Sequence, residues 1–154
     1  KILFIQPSIY DDWGRVVKKK KLYFVGLAYP VLASLLPEGW TAEICIETIE
    51  DIPYDTDADV IGIGGMGHAA NRGKDIALEF KKRGKIVYMG GPMVSLVPEL
   101  AREYCDSVMI GDSEQAIVEL CQYSRFRWER AAAGARSLFL RRLAKRTGFL
   151  YNLI

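Results

Sequence analysis

The sequence predicts a single α/β domain built on an open parallel sheet with helices on both faces. Three observations predict it. Short apolar runs alternate along the chain with segments of helical periodicity. Almost every apolar run stops at glycine or proline. The chain has 154 residues, half of them hydrophobic and 26% charged, which is enough for one full core and not for two.

The elements follow in order. Ile2-Leu3-Phe4-Ile5 is apolar and largely β-branched and stops at Pro7, so 1–6 reads as a buried strand. Residues 8–22 are polar and irregular, with a run of lysines from Lys18 to Lys21, and read as a long loop. Apolar side chains recur at helical spacing over 24–36, and Pro37-Glu38-Gly39 ends that helix. Pro30 must kink it or set its true start. Residues 41–47 alternate as a strand, and 49–57 form an acidic connection. A further buried strand, 59–63, opens into Gly64-Gly65-Met66-Gly67.

An amphipathic helix follows over 71–83. Ile76, Ala77 and Phe80 lie on one face, Lys74, Lys81 and Lys82 on the other, and Gly84 closes it. The next strand, 85–89, ends at Gly90-Gly91-Pro92. A short helix is expected over 97–104, with Pro98 in its first turn, where proline is tolerated. The strand 107–110 ends at Gly111-Asp112, and 113–122 reads as a helix with Ser113 as N-cap. Five strands joined by right-handed crossovers fit the flavodoxin-like (Rossmann-like) order 2-1-3-4-5. That unit fills residues 1–124.

Residues 125–154 break the rhythm. They hold eight of the 21 Lys and Arg and one of the 19 acids, a balance of +7 that leaves −5 on the rest. A basic amphipathic helix over 136–146 is one reading, a linker stub another. Binding to nucleic acid or to a membrane surface is the reading the sequence favours least, because one short basic stretch is a weak footprint.

Several classes are disfavoured. No apolar run reaches the roughly 18 residues of a membrane span, and the first is too short for a secretory signal, so a cytoplasmic location is expected. Cys45, Cys105 and Cys121 are odd in number and far apart. They read as buried thiols rather than as a disulfide frame or zinc site.

In open parallel sheets the ligand sits beyond the carboxyl ends of the strands, where strand order reverses. The loops there are 7–14, 64–71, 90–95 and 111–114, and three of the four begin with glycine. Tight turns are one account of these glycines. A flat or bulky ligand resting on bare main chain is the other. His68, the sole histidine, follows the glycine cluster, as a helix-start residue or as a ligand contact. Asp11 and Asp12 read as a solvated pair or a cation site.

The loops carry no Ser/His/Asp set and no close carboxylate pair, which argues against a stand-alone enzyme. Gly62-Ile63-Gly64-Gly65-Met66-Gly67 fits G-x-G-x-x-G, but on the third strand. The next strand ends in glycine where a ribose-binding acid belongs. A phosphoacceptor domain needs an Asp where Gly64 stands, and 7–13 make a poor flavin phosphate loop.

The runs from Lys1 to Pro7, Gly26-Leu27-Ala28-Tyr29, Ile61 to Met66, Gly90-Gly91-Pro92 and Ile110-Gly111-Asp112-Ser113-Glu114, in that order, resemble the N-terminal cobalamin-binding domain of B12-dependent radical SAM proteins. That group includes proteins similar to the anaerobic magnesium-protoporphyrin IX monomethyl ester cyclase. The resemblance covers about residues 1–122. It implies cobalamin lying over the strand ends. Gly64, Gly65, Met66 and Gly67 match the loop that approaches the corrin or its nucleotide tail, and His68 follows them. Gly90, Gly91 and Pro92 match the loop that passes the tail. Gly111, Asp112 and Glu114 match a Gly-Glu-x-Glu turn, with Asp for the first Glu. Pro7 and Ser8 close the first strand at the same rim.

The sequence departs from the family at two motifs. Asp-x-His-x-x-Gly is missing, which implies cobalt without a protein imidazole ligand. Cys-x-x-x-Cys-x-x-Cys is missing too. The resemblance therefore implies that the 4Fe–4S cluster and S-adenosylmethionine belong to a C-terminal radical SAM domain outside this chain, and that the C-terminus is truncated or altered. The resulting expectation is a binding module, non-catalytic alone. The alternative is a regulatory α/β domain for a nucleotide-like ligand.

Overall fold

A computed structural model describes residues 1–22, 26–132 and 150–151. Five parallel strands run in the order β2-β1-β3-β4-β5: β1 (Ile2–Gln6), β2 (Ala42–Ile46), β3 (Val60–Gly64), β4 (Ile86–Gly90) and β5 (Ser107–Met109). This is the flavodoxin-like order expected. A two-residue strand, β6 (Leu150–Tyr151), adds antiparallel to β5 and was not foreseen. The helices are α1 (Ala28–Ser34), α2 (Ala70–Lys82), α3 (Pro92–Ser95), α4 (Pro98–Ala101) and α5 (Glu114–Ala132).

The two-residue period of a strand divides each apolar run between two faces. Leu3, Ile5, Ile61, Ile63, Val87 and Met89 face α2, α3 and α4, packing on Ile76, Ala77, Phe80, Met93 and Val94. Ile2, Phe4, Val60, Ile86, Tyr88 and Met109 face α1 and α5, packing on Tyr29, Leu32, Ile117 and Leu120. Gly62 is dictated by this second face. A Cβ there would lie 2.8 Å from Cδ1 of Phe4.

Several element boundaries differ from expectation. Pro30 stands in the first turn of α1, which begins at Ala28, so proline sets the start rather than kinking a longer helix. The part of the expected helix at 24–25 lies outside the described residues. The helix expected over 97–104 is a single turn, Pro98–Ala101, and a second one-turn helix, Pro92–Ser95, forms within the loop expected over 90–95; each is opened by proline. The last helix runs from Glu114 to Ala132 rather than stopping near Gln122. Ser113 precedes it, and its carbonyl accepts the Ile117 N–H at 2.9 Å. The basic helix expected over 136–146 lies outside the described residues.

Cys45, Cys105 and Cys121 are buried free thiols. No described helix is long and apolar enough to cross a membrane.

Candidate ligand-binding rim

Because β1 to β5 are parallel, the loops at 7–14, 64–71, 90–95 and 111–114 all leave the same edge of the sheet. Strand order reverses between β1 and β3, so the switch point lies between the loops after Gln6 and Gly64.

At that point the protein fills its own seam. The Tyr29 hydroxyl on α1 lies within hydrogen-bond reach of two strand-end carbonyls, Ile5 at 2.7 Å and Gly64. Burial pushes the Tyr29 phenol pKa upward, so the hydroxyl keeps its proton. On the other face Gly65 is hemmed in. A Cβ there would lie 3.5 Å from Ala69 Cβ and 3.6 Å from both Met93 Sδ and Pro7 Cδ. Gly91 has φ +77°, and a side chain on it would begin 3.2 Å from the Gly65 carbonyl oxygen. The same carbonyl accepts the Met93 N–H at 3.0 Å. The loops after β3 and β4 are thus laced together by main-chain contact, and that contact requires glycine at position 91.

The expected site residues separate into two sets. Pro7, Ser8 and Gly90 are buried, and Gly64, Gly65 and Gly91 are partly buried. Ser8 has both polar groups engaged: its N–H donates to Glu47 Oε2 at 2.9 Å and its hydroxyl to the Val17 carbonyl at 2.5 Å. Met66, Gly67, His68, Pro92, Gly111, Asp112 and Glu114 are exposed. Met66 is 59% exposed. Gly67 has no atom within 4 Å of where its Cβ would stand. It opens a 3₁₀ turn (Gly67–Ala69) that carries His68 into α2. The outer rim around Met66 and Gly67 is therefore the bare, accessible part of the edge.

Sequence reasoning missed the polar brace behind this rim. Glu47, at the end of β2, is 2% exposed and meets Arg72 of α2 through contacts of 2.5, 2.9 and 3.1 Å. Arg72 also donates to the hydroxyls of Tyr10 at 3.2 Å and Tyr54 at 3.3 Å. Burial opposes the Arg72 charge, but the bonds to Glu47 and Tyr10 outweigh it and raise the guanidinium pKa. Tyr10 reaches on to Asp75 at 2.5 Å. The loop after β1 is thereby fastened to β2 and to the first turns of α2. A polar residue ending a strand and an Arg entering a helix are ordinary in sequence, so nothing marked this pair.

Asp11 serves its own loop, accepting the Trp13 and Arg15 N–H groups at 3.0 and 2.9 Å. Among the described residues no group of three His, Cys, Asp or Glu is placed to hold a metal ion.

No family model matches the chain. It is 38% identical over 97 residues, 62% of its length, to the bacteriochlorophyllide d C-8(2)-methyltransferase of Chlorobaculum tepidum. The matched segment makes up 21% of that protein, so the chain spans about a fifth of the curated relative. No solved structure matches.

Proposed function

We propose that this chain is a cobalamin-binding module of a B12-dependent radical SAM enzyme. The observation that carries the reading is the accessible rim at one sheet edge, with the open main chain of Gly67 beside the exposed Met66. A broad, flat group needs such a surface, because a side chain there would hold it off. The residues present fit a group resting on the rim. They do not offer a slot into the sheet, since Tyr29 and Pro7 fill the seam. Met66, Gly67 and His68 would lie beneath it, with Pro92, Gly111, Asp112 and Glu114 along its flank.

Likeness to a protein named as a methyltransferase of bacteriochlorophyllide d supports a parent enzyme that alkylates a large macrocycle. When bound, cobalamin supplies methyl transfer or ring formation at an unactivated carbon; the chain's own residues bind and orient it. The 4Fe–4S cluster and S-adenosylmethionine belong, on this reading, to a radical SAM domain outside these 154 residues.

The test is to mix the purified chain with hydroxocobalamin or methylcobalamin and look for co-elution and a shifted visible spectrum. Binding that Gly67→Trp abolishes supports the rim. Failure of the unaltered chain to bind at high micromolar cobalamin counts against the module and favours the nucleotide-like ligand.

A further inference from the structure

The loop after β1 is a built β-hairpin. Tyr10 pairs with Val16 in an antiparallel bridge. The Val17 N–H donates to the Ile9 carbonyl at 2.9 Å, and the Asp11 N–H to the Arg15 carbonyl at 2.9 Å. The Asp11 carboxylate closes the turn, taking the Trp13 and Arg15 N–H groups and, at 2.8 Å, Nε of Arg15. Gly14 supplies the left-handed residue, φ +77°. The base is fixed as firmly, through Ser8 to Glu47 and Val17 and through Tyr10 to Asp75 and Arg72.

At the tip of this braced hairpin stands Trp13, 77% exposed, with the Arg15 guanidinium 5.0 Å from its ring centre. The ring is left largely in solvent. The hairpin leaves the sheet at the same edge as the exposed loops, and its base adjoins them where Pro7 meets Gly65.

We infer that Trp13 is a ligand contact, an aromatic face fixed in advance beside the rim to lie against the flat macrocycle resting there. This rests on the cobalamin reading. A large apolar ring held by a rigid turn loses little conformational freedom on binding, so its contact area converts efficiently into affinity. A single ring at the end of a hairpin offers a face and no enclosing pocket, a geometry that suits a flat, extended partner.

The experiment titrates the 154-residue chain with hydroxocobalamin and follows the visible spectrum. Unaltered protein, Trp13→Ala, Trp13→Leu and Trp13→Phe are compared, with thermal unfolding in parallel. Trp13→Ala and Trp13→Leu are expected to weaken Kd about tenfold, and Trp13→Phe to stay within about threefold. Tm should be unchanged in all three, since the side chain is in solvent. Unaltered binding in Trp13→Ala, or a Trp13→Leu that binds as the native chain does, overturns the contact and leaves the cobalamin reading standing, with the ring free for a protein surface. No spectral change with the unaltered chain overturns both.

Discussion

The Glu47 carboxylate and the Arg72 guanidinium form a buried ion pair behind the rim, Oε1 to Nη2 at 2.5 Å, with side-chain exposures of 3% and 15%. Such a pair adds little over an apolar substitute, yet breaking it strands a charge. Arg72→Met should therefore lower unfolding free energy by about 3 kcal/mol, whereas Glu47→Gln with Arg72→Met together should cost less than the two single changes summed. Urea unfolding of all four proteins measures the coupling. Additive losses would show that the two side chains do not sense one another.

The Tyr29 hydroxyl is the sole donor that Tyr29 brings to the seam between β1 and β3. Tyr29→Phe keeps the ring between α1 and the sheet and deletes that donor. The loss should be about 1 kcal/mol, the usual net worth of such a bond. Equal urea midpoints for the two proteins would mean that water replaces the hydroxyl at no cost.

The sheet was legible because four of the five strand segments ended at glycine or proline, and such segments alternating with helical periodicity admit few topologies. The rim was legible by the same logic, since parallel strands send every following loop to one edge. What each rim glycine does was not legible. Gly91 serves a loop-to-loop contact against Gly65, Gly62 makes room for Phe4, and Gly67 faces open space. These are tertiary facts, and four glycines look alike in sequence. The hairpin of 9–17 was hidden for the opposite reason. Its register rests on Asp11 and on anchors at Glu47 and Asp75, which are distant in sequence. The one-turn helix opened by Pro92 is too short for periodicity to register, whereas the helix with Pro98 in its first turn was legible and only its length was overestimated.

The buried thiols give the protein a dependence on alkaline pH. Burial pushes Cys45, Cys105 and Cys121 up to about 12. In the unfolded chain they titrate near 8.5, so above that pH the unfolded state binds fewer protons than the native one. Stability from this source is complete below about pH 8.5 and is lost as pH climbs toward 12. Comparing Cys121→Ala with the unaltered protein isolates one thiol. Between about pH 9 and about pH 11 the unaltered protein should lose more stability, at up to about 1.4 kcal/mol per pH unit. Parallel pH profiles for the two would refute the assignment.

Glycine substitutions at the rim should divide by environment and not by position in the motif. Gly91→Ala forces a side chain onto a residue at φ +77° and places its Cβ 3.2 Å from the Gly65 carbonyl oxygen, so backbone strain and crowding add. A loss of about 2 kcal/mol is expected, with cobalamin binding falling as a consequence of the disturbed loop. Gly67→Ala meets nothing within 4 Å and should leave unfolding unchanged, and Gly67→Trp should do the same while blocking the rim. The decisive reading sets affinity against stability for each variant. If Gly67→Trp binds cobalamin as tightly as the native chain while Gly91→Ala binds weakly at full stability, the macrocycle rests over the loop after β4 and not over the loop after β3.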